Sequence, residues 1–205
     1  MKTEISLFVE VPICAFRPYE SREYQDTYPA PPPSSVYGML LSLCGVGRDQ
    51  KDRHRGVIMA LAIESEPVRS KVFRKLRRGK ELGDLRPDYQ DILLGLSLWV
   101  WLADGNDQGS PKLPALVAEA IEHPATVKRF GGLSLGESSY LVNSVRISQP
   151  SAEQRLLFLK PDETGGFYSL PVWIDHAKNQ SIRRRFDLKE LSVAEGLAAC
   201  CFFVE

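Results

Sequence analysis

Three consecutive prolines at positions 31–33 constrain this chain more than any other feature. Each fixes φ and removes a backbone donor, so neither a helix interior nor a central strand can run through them. Before them, Ile5, Leu7, Val9, Val11 and Ile13 alternate with Glu4, Ser6, Phe8, Glu10 and Pro12, the period-2 pattern of a strand with one buried face. That strand ends at Arg17-Pro18. After the prolines, the spacing of Val36, Leu40 and Leu43 predicts a short helix over residues 35–43. Ser34 or Ser35 is its expected N-cap, and Gly38 in the first turn allows close backbone approach. A polar loop carrying Arg22, Tyr24 and Tyr28 joins the two elements. Hydroxyls, ring faces and the backbone N–H groups of a helix start thus meet on one rim, a combination suited to phosphates and unstacked bases.

Further along, residues 57–63 form an apolar run suited to a central strand, and residues 92–102, ILLGLSLWVWL, form a second. Trp99 and Trp101 alternate on that strand and read as core in preference to base-stacking platforms. The mixed-charge stretch RDQKDRHR at 48–55 reads as a solvated connection. Ser110 with Pro111 is the expected start of a second helix, with Leu113, Leu116, Val117, Ala120 and Ile121 as its apolar stripe. Strands follow at 139–147, 155–159 and 167–174, and the apolar run 198–204 closes a sheet. Strand, helix, strand, excursion, strand, helix, strand is the order of a β-α-β-β-α-β ferredoxin-like unit. The expected class is α+β: a ferredoxin-like (RRM-like) core over residues 1–148 with a segment inserted at about 68–91, then a β-rich C-terminal extension over 149–205.

Lysines plus arginines equal aspartates plus glutamates at 26 each, so overall charge points to no polyanion. Its distribution does. In RSKVFRKLRRGK, residues 69–80, the side chains of Arg69, Lys71, Arg74, Lys75, Arg77, Arg78 and Lys80 are basic and none is acidic. Such a run is either a solvated face or a polyanion contact, and mutual repulsion favours the latter. In KRFGGLSLGESS, residues 128–139, the glycines let backbone N–H groups turn toward one point. Lys128, Arg129, Gly131, Gly132, Ser134 and Ser138 make that loop a candidate anion site. Arg183, Arg184 and Arg185 form a weaker cluster, equally readable as surface. The four cysteines fit neither a metal framework nor a disulfide scaffold, and no cofactor or metal is expected. A signal peptide and a membrane-spanning run are both unexpected, which makes the cytoplasm the expected compartment.

The run TYPAPPPSSVYGMLLSLCG, preceded by LFVEVPICAFR, resembles the N-terminal signature of the CRISPR-associated Cas-five family. There a first strand ends near an aromatic-Arg pair and a Pro-Pro-Ser-x-x-Gly-Met-Leu helix start follows. KRFGGLSLGESS is similar to the glycine-rich loop of the wider repeat-associated RNA-binding superfamily, with Glu137 where many relatives carry a basic residue. Matching positions cover roughly a third of the chain and look closest to the short, DevS-like members of type I complexes. The resemblance implies a non-catalytic Cascade-like subunit that caps the 5′ handle of crRNA. It also implies a Cas-seven-type backbone subunit and a large PAM-reading subunit as neighbours, and target DNA met through the guide. The basic segment would be a thumb reaching over the guide. Arg17, Tyr24, Tyr28, Ser34, Ser35 and Tyr37 would grip the handle together with the glycine-rich loop. Two other functions stay open. One is a metal-independent ribonuclease acting on repeat RNA, for which His54, His123 and His176 are the available histidines. The other is an adaptor in a transposon-linked complex.

Overall fold

A computed structural model describes residues 4–18, 21, 24–77 and 85–204, with backbone alone at 75–77, 85 and 86. Arg22, Arg78 and Lys80 lie outside the described residues, as do the side chains of Lys75 and Arg77. In chain order the elements are β1 (Ile5–Cys14), α1 (Pro33–Leu43), a 3-10 helix at Arg48–His54, β2 (Ile58–Ile63), β3 (Val68–Arg77) and β4 (Leu85–Ala103). They continue with α2 (Leu113–Glu122), β5 (Ser144–Ile147), β6 (Arg155–Pro161), β7 (Tyr168–Asp175), β8 (Gln180–Ser192), α3 (Val193–Ala199) and β9 (Phe202–Phe203). Among the described residues, nine strands join one mixed-length antiparallel sheet in the order β5-β1-β4-β2-β6-β8-β7, with β3 added to β4 and β9 to β2.

β4 organises this sheet. One edge carries β1, paired from Ile5 opposite Leu102 to Cys14 opposite Leu93. The other edge carries first β2 and then β3, from Val68 opposite Leu94 to Arg77 opposite Leu85. The 92–102 expectation therefore caught only the inner part of a longer strand. Gly95 marks the change of regime: its φ of +70°, a value L side chains rarely adopt, interrupts the alternation. Leu93 and Leu96 consequently both join the cluster on the helix-covered face. Beyond that point the outer half of β4 and β3 form a hairpin.

On the helix-covered face, Leu7, Val9, Val11, Leu98, Val100 and Leu102 pack against Val36 and Leu40 of α1 and Val117 of α2. The opposite face is also covered. Phe8, Trp99, Trp101 and Phe158 cluster there with Val193, and Trp101 stacks on Phe158 at 5.3 Å. α3 lies so close that a Cβ on Gly196 would sit 2.3 Å from the Phe158 ring. β1 is thus buried on both faces rather than one, apart from Ile13 and Pro12, which are exposed.

Four boundaries differ from expectation. α1 begins at Pro33 with Pro32 as N-cap, so neither Ser34 nor Ser35 caps it. α2 begins at Leu113, beyond Ser110 and Pro111. Its start is fixed by the buried Asp107, whose carboxylate accepts from the backbone N–H groups of Gly109 and Leu113 at 2.7 Å each. β5 begins at Ser144, because residues 137–141 turn, with Tyr140 N–H donating to the Glu137 carbonyl. The tail splits into α3 and the two-residue β9, so the run 198–204 is not one strand.

Candidate nucleic-acid interface

The proline-led start of α1, the glycine-rich loop and the end of β7 meet around two adjoining clefts. One, of about 610 Å³, is lined by Ser34, Ser35, Gly38 and Ser42 of α1, and by Arg48 and Lys51 of the 3-10 helix. Lys128, Arg129, Ser134 and Ser138 of the loop and His176 complete its walls. The second, of about 1000 Å³, is lined by Arg17, Tyr28, Ser35, Arg74, Glu137, Gln180 and Arg183. The two share Ser35, Gly136 and Ile174. A third, of about 550 Å³, adjoins the second through Tyr28 and Arg183 and adds Asp26, Arg69, Phe167 and Tyr168. Together they form a groove across one rim. Among the described residues its walls hold eight lysines and arginines but two carboxylates, Glu137 and Asp26. In a chain of formal charge zero, that concentration of positive charge is local to this rim.

The cations differ in how far they are neutralised. Arg74 pairs with Glu137 at 3.1 Å and also donates to the Tyr140 hydroxyl. Gln90 donates to the same carboxylate, so Glu137 ties the glycine-rich loop to the β3–β4 hairpin. Arg69 lies 3.4 Å from both Asp26 and Asp91 and donates to the Thr27 carbonyl at 2.7 Å. These contacts correct the expectation that the basic run lacks acidic partners: carboxylates distant in sequence reach it. Lys71 sits 5.3 Å over the Tyr24 ring, and its hydrogen bond to Tyr24 holds its pKa above the ordinary lysine value. Arg183 instead meets neutral acceptors, the Tyr28 hydroxyl at 2.6 Å and the Ser169 side chain and carbonyl, with no carboxylate partner among the described residues. Arg17, Arg48, Lys128 and Arg129 have no carboxylate partner among the described residues.

Several candidates occupy places other than expected. Tyr37 lines the smaller cleft but is only 3% exposed: its ring lies against Trp173 and its hydroxyl donates to the Lys51 carbonyl at 2.6 Å, which leaves little of it open to the groove; burial pushes its pKa well up. Tyr28 is half-buried against the core rather than a free ring. Tyr24 is exposed but donates its hydroxyl to Asp91. Ser34 has its hydroxyl buried without a partner. Gly131 and Gly132 are exposed, Gly131 with a φ of +79°. His54 is buried against Asp107 at 3.0 Å and lines none of the three clefts, and His123 follows the last residue of α2. His176 lines the smaller cleft, its pKa lowered by burial and then by Arg48 and Lys51. Arg48 and Lys51 were missed in the mixed-charge stretch. Their spacing of three, one turn of a 3-10 helix, was the available signal. Arg184 is paired with Glu163 at 2.6 Å, away from the groove.

Comparison with known proteins follows the same lines. No protein-family model matches the chain. A curated relative from Myxococcus xanthus (strain DK1622), named CRISPR-associated protein Cas5, is 34% identical over 190 residues, covering 87% of this chain and 86% of the relative. A chain of a solved CRISPR RNA-guided surveillance complex superposes with a TM-score of 0.64 at 15% identity, covering 92% of this chain and 90% of its own. A crystal structure of a Cas protein superposes with a TM-score of 0.55 at 17% identity over 91% of this chain and 95% of its own.

Proposed function

The chain belongs to the CRISPR-associated Cas5 family, and from that premise we propose that it is a structural subunit of a type I, Cascade-like effector complex, binding the single-stranded 5′ handle of crRNA. The observation that carries this reading is the groove: uncompensated Arg17, Arg48, Lys128, Arg129 and Arg183 beside the half-buried Ser34 and Ser35 at the start of α1, in a chain with no net charge. Phosphate contacts of that kind hold a single strand while its bases stay unpaired. Gly38 supports the assignment, because a Cβ there would meet nothing within 4 Å and the helix surface is open to a close-approaching strand.

In this reading β1-α1-β2-β4-α2-β5, with sheet order β5-β1-β4-β2, is a ferredoxin-like core. The β3–β4 hairpin is the thumb over the guide, facing the first Cas-seven-type backbone subunit. The large PAM-reading subunit is the other neighbour, and target DNA is met through the guide. An RNA-recognition fold of the ordinary kind would use the strand face for bases. Here Trp99 and Trp101 are sealed by Phe158 and α3, which favours the rim. We propose a non-catalytic role because Tyr37 is spent on a backbone carbonyl and His54 on Asp107. Incubation with repeat RNA in EDTA checks this: cleavage abolished by His176→Ala would establish the ribonuclease instead.

The deciding experiment pairs Arg17→Ala with Arg129→Ala. Both side chains are exposed, so the melting temperature should stay within about 2 °C. Affinity for a handle-bearing guide should fall at least tenfold, while a guide lacking the handle should be unaffected. Equal loss for both RNAs would refute handle recognition.

A further inference from the structure

The groove changes character at its far end. Between Arg17 and Arg183 it is cationic, but past the Arg183–Tyr28 bridge Arg69 is balanced by Asp26 and the wall becomes aromatic. Phe167 is 80% exposed and packs edge-on against Tyr168, ring centroids 4.9 Å apart. An exposed phenylalanine of this kind costs solubility, and it sits on a turn built to hold it still. The Asp162 side chain accepts from the N–H groups of Thr164 and Gly165, and the Asp187 carboxylate accepts from the Phe167 N–H at 2.8 Å. Gly166 is mandatory there, since a Cβ would lie 2.7 Å from both the Asp162 carbonyl and the Phe186 nitrogen.

We infer that Phe167, braced by Tyr168 at the β6–β7 turn, is a stacking platform for one unpaired base of the single-stranded RNA whose phosphates follow the cationic part of the groove. This inference rests on the proposed handle-binding function and adds a subsite to it. Charge decides the ligand chemistry at each point. Uncompensated Arg183 suits a phosphate, whereas a charge-balanced, aromatic wall suits the neutral face of a base. Arg183 stands between the two regions and can hold the phosphate that precedes the stacked base.

The test combines a single substitution with abasic RNA. Each handle nucleotide is replaced in turn by an abasic one, and binding is measured to the 205-residue chain and to its Phe167→Ala variant. Wild type should lose about tenfold in affinity at one position. Phe167→Ala should lose the same on intact RNA and nothing further when that position is abasic. Phe167→Trp should restore binding and Phe167→Leu should not. Equal affinity of wild type and Phe167→Ala for every RNA, with handle discrimination intact, overturns this inference alone. Failure of wild type to distinguish handle-bearing from handle-less RNA overturns the proposed function and this subsite with it. Rescue by Leu, or loss of co-purifying protein subunits with RNA affinity unchanged, assigns Phe167 to a protein contact and also overturns it.

Discussion

Tyr37 separates chemistry from packing at the scale of a single residue. Its ring lies against Trp173 and its hydroxyl satisfies the Lys51 carbonyl, which helps fix the 3-10 helix carrying two groove cations. Tyr37→Phe keeps the ring and removes the bond, so urea denaturation should report a loss of about 1 kcal/mol. Guide affinity should change less than twofold, whereas a direct RNA contact would give the reverse. Sequence could not settle this, because a tyrosine five residues into a helix carries no sign of its depth. Asp107 was hidden for a related reason. In the turn Asp104-Gly105-Asn106-Asp107 the sequence offers several equivalent acceptors, and only the fold brings His54 and the start of α2 to one of them. Arg17, Lys128 and Arg129 were legible because a cation outside any apolar stripe has few places to go but the surface.

Among the elements, the β3–β4 hairpin has two faces with different duties. Arg74 and Gln90 turn toward Glu137, while Arg69 and Lys71 turn toward Asp26, Asp91 and Tyr24. Phe73 and Tyr89, 60% and 56% exposed, form an edge-on pair on the latter face. Removing the shared acceptor by Glu137→Ala should therefore raise amide hydrogen exchange across residues 68–77 while leaving β2 protected. Replacing Arg74, Lys75, Arg77 and Arg78 with Ala should flatten the salt dependence of guide binding by about 0.7 for each phosphate no longer neutralised. An unchanged slope would make the run a solvated face. Period-2 alternation found β1, and continuous apolar runs found β2 and the 92–102 part of β4, but β8 was overlooked because Arg183, Arg184 and Arg185 read as a charge cluster instead of a half-exposed strand. α3 did have a sequence signal: Ser192 and Glu195 form a capping box, three residues apart.

For the whole molecule, covering both faces of the sheet leaves the rim as the surface for the proposed binding. Trp101, 1% exposed and stacked on Phe158, should cost about 3–5 kcal/mol when changed to Ala. The folded fraction should bind guide RNA as before; a specific loss of RNA affinity without destabilisation would mean that the sheet face is the binding surface. β4 has another consequence, for synthesis. Leu7 of β1 pairs with Val100 and Phe8 with Trp99, so the first strand made waits for one that emerges some ninety residues later. At about 5–20 residues per second that interval is on the order of 5–20 s. Throughout it the nascent chain displays an unpaired strand of Leu7, Phe8, Val9 and Val11 to everything around the ribosome. Soluble yield should therefore depend on what shelters the polypeptide during those seconds, and co-expressing a holdase chaperone should raise it more than lowering inducer does.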